Sequence, residues 1–577
     1  MSKLNIDQSS IKKLFEDKKS DFLIPDYQRP YAWTDVECQT LWDDIFEFAF
    51  PGDDVSKFNS DEEYYLGPIV TFKNDDGKKE IIDGQQRLTT LMLLLRAFYS
   101  KFGNMKDEKS LQTKDIISKC IWKTDEFGKP DMDELKIDSE VATDNDKDEF
   151  LKILKTGNAD NLKSKYAENY RFFQKKINEF LDAYPSYFAF LPIRILNNCI
   201  LLPIEAEDQN TALRIFSTLN DRGKPLSDAD IFKAQFYKFF KEQGKKDNFI
   251  SHWKILEEKC DKMFKPLSGT PLDELFARYM YFERAKMGIK QSTTEALRKF
   301  YEKNKYALLK KEETFNNLID LAIFWEDINN QNEDRFSNDV LKKLFILNYA
   351  PNSMWTYFIS VYYLQNRDKQ GKLNDAEFYA FLNKTIAFVW AYAVYMPGVN
   401  ALRTPIFNEM VNIVNNRDVD FAGYKFDLLQ LKSMFNNYEF NNNRPITKSM
   451  LAWWAFENPM QELIELDKVF EIEHIYAKNR YEKEKSLDDR KIVEKLGNKS
   501  LLEKRINIRA SDYRFDDKKK YYTGYTLANG KKKEETEIVS LKELVSKVDF
   551  TQQDILDRHN EIIERFMGYL TLNQLSI

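Results

Sequence analysis

The sequence predicts a mainly α protein with α+β parts, and three observations carry that prediction. Gly (18) and Pro (16) are scarce for 577 residues, which leaves little punctuation for tight hairpins. Hydrophobic residues make up 43% and aromatics 14%, enough for large packed cores and against global disorder. Strand and helix patterns mix near the N-terminus, whereas 235–440 is almost wholly helical in period. The chain is too long for one ordinary core. Three regions are expected: 1–240, 241–438 and 439–577.

Residues 9–17 (SSIKKLFED) read as a capped helix, and Phe22 to Ile24 as a strand that Pro25 ends. After PDYQRPYAW (25–33), VECQTLWDDIFEFAF has apolar positions at helical spacing. Two strands, 64–72 and 80–82, flank the NDDGKK turn at 74–79. DGQQR (83–87) is a tight turn opening the apolar helix LTTLMLLLRAFYSKF. Residues 106–165 are polar and acid-rich around one strand at 134–137, and 165–185 is helical. LPIRIL and ILLPIEA read as strands; FSTLNDRGKPLSDADIFKA (216–234) ends in a helix start capped by Ser227 or Asp228. The helical stretch that follows is rich in buried-type aromatics, as in MWTYFISVYYL and IAFVWAYAVYM. Polar NNYEFNNNRPITK (436–448) is the best boundary before the last region.

Several function classes drop out. Cys38, Cys120, Cys199 and Cys260 are scattered, so neither a zinc site nor a disulfide framework is expected, in keeping with a reducing cytosol. The start of the chain has no apolar h-region, and 188–204 is interrupted by Pro192, Arg194, Asn197, Asn198 and Pro203. A soluble, cytoplasmic protein without a membrane partner is the expectation. The net charge of −6 does not suggest nucleic acid, but a local basic face is what matters. Residues 491–520 supply one: Lys491, Lys495, Lys499, Lys504, Arg505, Arg509, Arg514, Lys518, Lys519 and Lys520 against Glu494, Glu503, Asp512, Asp516 and Asp517. Lys499, Lys504, Arg505, Arg509 and Lys518 are the candidate DNA contacts; a solvated helix surface is the plainer reading.

Of the three histidines, His252 and His559 lie in helical runs and read as packing or surface residues. His474 follows Glu473 at the end of the strand-like VFEIEHI, with Asn498 and Asn507 downstream. Phosphodiester hydrolysis needs a base to activate water and a divalent cation to hold developing charge. A strand presenting Glu-His supplies a metal ligand and a base together, and a helix after a loop returns a second oxygen ligand, Asn507. Such hard donors suit Mg²⁺ or Mn²⁺.

Toward the N-terminus, Gly84 permits the turn and the following helix start offers N–H groups to an anion. Arg87 adds a phosphate contact, Asp83 a metal or water contact, and Gln85 and Gln86 are plausible ligands for ribose, phosphate or water. Tyr27, Gln28, Arg29, Tyr31 and Trp33 fit a stacking pocket for a nucleotide or altered base, and equally an aromatic core plug. Asn220, Arg222 and Lys224 surround a Gly-containing turn and are weaker phosphate candidates. DGQQR by itself also fits a turn with a helix cap.

EIEHIYAKNR, KLGNKSLLEKRIN and DYRFDDKKKYY resemble the HNH (ββα-metal) nuclease domain of GmrSD-like restriction enzymes, over roughly 440–577. PDYQRPYAW, the Leu66-Gly67-Pro68 strand, DGQQRLTTL and FSTLNDRGKPLSDADIFKA resemble the ParB/sulfiredoxin-like domain of the same GmrSD-type and of SspE-type modification-dependent (type IV) systems, over about 1–240. The resemblance implies an N-terminal ParB/sulfiredoxin-like α+β domain, a central helical region and a C-terminal HNH domain embedded in helices. His474 is then the general base, Glu473 and Asn507 are metal ligands, and Asn498 braces the loop of the catalytic centre. Asp83, Gln86 and Arg87 would serve hydrolysis of a nucleoside triphosphate (GTP, UTP or ATP) that gates cleavage. Tyr476-Ala477 stands where the family often has Pro after the His, and Glu473 where many HNH nucleases have Asp. The expected protein is an NTP-regulated, Mg²⁺- or Mn²⁺-dependent endonuclease on modified foreign double-stranded DNA, with a homodimer allowed. The competing expectations are an NTP-switched DNA-binding regulator with a vestigial site and an unregulated toxin nuclease.

Overall fold

The computed structural model describes residues 5–6, 8–18, 20–50, 62–141, 144–209, 211–213, 215, 227–266, 268–398, 400–511 and 514–577. They fold into two compact units, 1–254 and 255–577, each taken by itself below. The architecture is mainly α with α+β parts. Among the described residues no helix is long and apolar enough to cross a membrane.

The first unit is built on a mixed sheet of β1 (Asn5–Ile6), β2 (Ser9–Ser10), β3 (Phe22–Ile24), β4 (Tyr64–Lys73), β5 (Lys79–Asp83), β8 (Ile137–Ser139) and β9 (Cys199–Ala206), with β6 (Trp122–Thr124) and β7 (Pro130–Leu135) paired apart. Its order is β1-β9-β4-β5-β3-β8, with β2 also on β9. The β4–β5 hairpin is antiparallel, whereas β9 on β4 and β3 on β5 are parallel. Helix α1 (Ile11–Glu16) starts at Ser10, whose hydroxyl accepts from the Lys13 N–H; α2 (Asp35–Ala49) starts at a capping box of Thr34 and Glu37.

Helix α3 (Gln85–Lys101) begins at Gly84, whose φ of 93° lies in the left-handed region that favours glycine. From Leu88 to Phe98 every side chain of α3 is buried, so this helix is the centre of the unit rather than a half-wet cover. It packs against α4 (Glu108–Ile121), α5 (Lys147–Thr156) and α6 (Lys165–Ala183).

The LPIRIL run, expected as a strand, is helix α7 (Phe190–Asn198). Pro192 sits in its first turn, where the missing N–H has no partner to lose, and Leu191, Ile195 and Leu196 are buried. A short apolar run cannot be told from a helix by period alone. The ILLPIEA run is strand β9 as expected.

The second unit is helical from Pro271 onward, and stacked aromatics join its elements. Phe388 lies on Phe421 at 3.7 Å, and Phe324 on Tyr363 at 4.0 Å. The helix Pro445–Phe456 is buried almost all round and packs on the helices Asn338–Leu347 and Asp375–Tyr395. The polar 436–448 stretch lies inside this unit, where it ends the helix Leu428–Asn437 and starts the helix Pro445–Phe456. Within it, β10 (Phe470–His474) and β11 (Lys499–Glu503) pair antiparallel, and the helix Lys504–Ala510 follows at once and packs on both. A last short hairpin pairs β12 (Tyr525–Thr526) with β13 (Lys532–Lys533).

Candidate functional site

In the second unit, β10 ends on Glu473 and His474, which pair across the ladder with Ser500 and Lys499. Neighbouring residues of a strand point to opposite faces, so the two side chains meet different surroundings. Glu473 is 3% exposed, and its Oε1 accepts from Lys518 Nζ at 2.8 Å and from the Tyr522 hydroxyl at 2.5 Å. Burial raises its carboxyl above the usual range, against the pull of Lys518 and Tyr522. The expectation of a free metal ligand is corrected to this extent: one oxygen of Glu473 is committed to a buried ion pair.

His474 Nε2 has no hydrogen-bond partner, and Glu494 Oε2 stands 3.7 Å away as a charged neighbour. Burial pushes the imidazole below its ordinary value, opposed by Glu494. Burial works to raise the Glu494 carboxyl, but His474, Lys478 and Lys499 together hold it well below the usual range.

Asn498 is fully buried, and its whole amide is used. Its Oδ1 accepts from the Tyr476 N–H at 2.7 Å, and its Nδ2 donates to the carbonyls of Tyr476 and Val493 at 3.0 and 2.9 Å. It is therefore a positioning residue for the chain after His474 and does not face a substrate. Asn507 is half-buried on the helix Lys504–Ala510, and its amide makes no hydrogen bond among the described residues.

Two expected DNA contacts are corrected. Lys499 is wholly buried and donates to Glu494, Asn442 Oδ1 and the Phe440 carbonyl. Lys518 is 1% exposed and donates to Glu473 and the His474 carbonyl. A buried ammonium needs acceptors for its protons; Lys499 has three and Lys518 two. Lys504 and Arg505 are exposed and Arg509 is half-buried, as a phosphate-facing surface requires.

The sequence reading missed Glu494, Tyr522, Gly497 and Arg558. Arg558, on the helix Gln552–Leu572, donates to the carbonyls of Leu496, Gly497 and Lys499. Gly497 lies so close to that helix that a Cβ would strike the Ile555 carbonyl. A tail arginine far along the chain carries no local pattern, so no signal marked it. His559, read as packing or surface, is 1% exposed with both ring nitrogens unpartnered, and burial lowers its pKa to about 3. His252 is exposed, with Nδ1 2.8 Å from the Asn248 carbonyl.

In the first unit, the 25–33 loop is gripped by amides of the DGQQR turn. Gln86 Oε1 accepts from the Ala32 N–H at 2.7 Å and its Nε2 donates to the Pro30 carbonyl at 3.2 Å. Gln85 Nε2 donates to the Arg29 carbonyl at 2.8 Å, and Gln28 Nε2 donates back to the carbonyls of Ile81 and Ile82. Gln86, expected at the chemistry, is thus a brace. Tyr27, Gln28 and Tyr31, expected to line a sensing pocket, are corrected to core positions at 6%, 6% and 7% exposure. The Tyr27 hydroxyl donates to Glu80, Tyr31 bonds Thr90 and Asn169 and stacks on Tyr166, and Trp33 packs half-buried on the same core.

What remains open is Asp83, Gly84, Arg87, Arg29 and one atom of Gln85. Burial raises the Asp83 carboxyl, while the Gly84 N–H, Arg87 and Arg29 pull it down. Arg87 donates to the Pro68 carbonyl at 2.9 Å and lies over Gly67, whose φ is 118°. Gln85 Oε1 is buried and has no hydrogen-bond partner. Asp83, Arg87 and Arg29 lie close enough to act on one another, beside the positive-φ glycines Gly67 and Gly84. Asn220, Arg222 and Lys224 lie outside the described residues. Among the described residues no group of three or more His, Cys, Asp and Glu side chains is arranged to hold a metal ion.

Comparison with known proteins matches both regions to one family. The model "GmrSD restriction endonuclease, N-terminal domain" matches residues 11–237, and "GmrSD restriction endonucleases, C-terminal domain" matches 405–565. No curated protein matches the chain. The two matches fall in chain order on the Asp83–Arg87 turn and on the β10–β11–helix segment. The chain belongs to the GmrSD family of restriction endonucleases.

Proposed function

We propose that the protein is an NTP-regulated, divalent-metal-dependent DNA endonuclease of the HNH type, acting on modified foreign DNA. One observation carries the reading: β10 ends in His474, and its antiparallel partner β11 runs straight into the helix that carries Asn507. The His474 imidazole, with the Glu494 carboxylate 3.7 Å away to stabilise the proton it takes, supports a general base for a water attacking phosphorus. The oxygen donors fit Mg²⁺ or Mn²⁺, which accept few protein ligands and leave the rest to water and phosphate. Asn507 is the residue left for it, because Glu473 lies on the face of β10 opposite His474 and is held by Lys518 and Tyr522. Such a cation would stabilise charge on the phosphate. Lys518 and Tyr522 would orient Glu473, Asn498 would hold the loop behind His474, and Lys504, Arg505 and Arg509 would take flanking phosphates.

The open cluster of the first unit is the proposed triphosphate site. Arg87 and Arg29 supply charge, Gly84 and the start of α3 supply backbone N–H groups, and Asp83 would hold the attacking water or a cation. The unpartnered Gln85 Oε1 suits a ribose or water donor.

The test incubates the purified protein with Mg²⁺ and GTP, UTP or ATP in turn, on modified and unmodified duplexes. The expected result is NTP-stimulated cleavage of modified DNA that His474→Ala abolishes and Asp83→Ala uncouples from the nucleotide. DNA binding without cleavage in any condition would establish the regulator reading instead. Equal cleavage of both DNAs, indifferent to NTP, would establish the toxin reading.

A further inference from the structure

The helix Lys504–Ala510 buries Ile506 and Ala510 against its own unit. At about 100° per residue, position 508 falls on the opposite side, and Ile508 is 68% exposed there. Exposed Lys504 and Arg505 stand one turn before it. Arg509 follows, with its Nε donating to the Arg505 carbonyl at 3.2 Å. A single exposed apolar residue is common on any surface. This one is the middle of a solvent face otherwise made of cations, and it adjoins Asn507. Propensity does not explain it, because β-branched Ile is a poorer helix former than the Lys, Glu or Gln that usually fill such positions. The cations match a polyanion, and the isobutyl-sized side chain between them matches something apolar inside that polyanion. In duplex DNA the apolar interior is the stack of base pairs.

We propose that Ile508 is a wedge that enters between two base pairs from the minor groove, with Lys504, Arg505 and Arg509 on the bordering phosphates. The proposal rests on the DNA-nuclease reading and adds the mode of engagement. An apolar wedge partly unstacks one step and kinks the duplex toward the major groove, which opens the minor groove for a short helix. Because Asn507 is the next residue, the wedged step would fix which phosphate reaches His474. Pyrimidine–purine steps, which unstack most easily, would be preferred.

The experiment uses the full chain carrying His474→Ala, so that bound DNA stays intact, and duplexes with a single 2-aminopurine at successive steps. Saturating protein is expected to raise 2-aminopurine fluorescence at one step beside the cut position. Adding Ile508→Ala should abolish that rise and weaken binding by about tenfold or less, whereas Ile508→Met should restore the rise. Arg505→Ala should weaken binding yet keep the rise at saturation. An unchanged rise with Ile508→Ala, or a saturated complex of the Ile508 protein with no rise at any step, overturns the wedge. If protein with His474 intact cuts DNA while no step unstacks, the wedge fails and the nuclease reading stands. If it neither binds nor cuts any duplex, both fail.

Discussion

The two candidate sites are braced in opposite ways. In the first unit neutral amides do the holding: Gln85, Gln86 and Gln28 lace the 25–33 loop to the DGQQR turn through main-chain atoms. In the second unit charges do it: Lys518 on Glu473, Lys499 on Glu494, and Arg558 on three carbonyls. Neutral braces cost little to bury once their hydrogen bonds are made. Buried ion pairs cost several kcal/mol of desolvation and are severe to break one side at a time. They suit a site whose carboxylate must not wander. The lesson is that the first site is held in place and the second is locked.

Four measurements sharpen or break that contrast. The largest effect is expected for His474→Ala, which should lower cleavage by about 10²- to 10⁴-fold in single-turnover assays, with DNA binding retained. Retained cleavage would remove His474 from the chemistry. Next comes Lys518→Met, which strands a buried carboxylate and should cost about 3–5 kcal/mol in denaturant unfolding. Adding Glu473→Gln to Lys518→Met should recover part of that loss; no recovery would show that the pair is not the lock. Third, Gln86→Ala should cost about 1–3 kcal/mol, the toll of leaving the Ala32 N–H and Pro30 carbonyl unmet. If it cost as much as Lys518→Met, the contrast between the sites would collapse.

The smallest effect is a slope. His559 has a pKa of about 3 in the fold, below its ordinary value near 6.5, because burial disfavours the charged ring. Its neutral form is therefore the native one, and its contribution is intact above about pH 6.5. It is lost as pH falls from there toward 3, since the unfolded chain binds the extra proton, at about 1.4 kcal/mol per unit when fully developed. Subtracting the stability of His559→Phe from that of the unsubstituted protein at each pH should expose this slope. A flat difference would mean that water or a partner satisfies the ring.

Much of this was legible in the sequence, and the failures share a cause. Apolar period and Pro25 marked β3, the NDDGKK turn marked the β4–β5 hairpin, and VFEIEHI marked the strand ending in His474, while the roles of Asn498 and Asn507 came from the family resemblance. LPIRIL failed because a short run of five apolar residues around Arg194 fits a strand or the first turns of a helix, and only packing decides. Tyr27, Gln28 and Tyr31 failed differently: polar atoms on a motif loop look available until the partners that bury them are seen. Lys499 and Lys518 repeat that error with charge. A sequence shows a cation but not the carboxylate that answers it, since Glu473 and Lys518 lie 45 positions apart.

Gly497 under the helix Gln552–Leu572 has a consequence for the order in which the protein is made. The turn that carries Asn498 is finished by Arg558 and by a backbone contact that exists only once that helix is present. A ribosome that has passed His474 and Asn507 has therefore not yet delivered a completed cutting centre. The first unit, encoded before it, has all its described parts by residue 254. Chains that stall before Arg558 would carry the first unit without the contacts that finish the Asn498 turn.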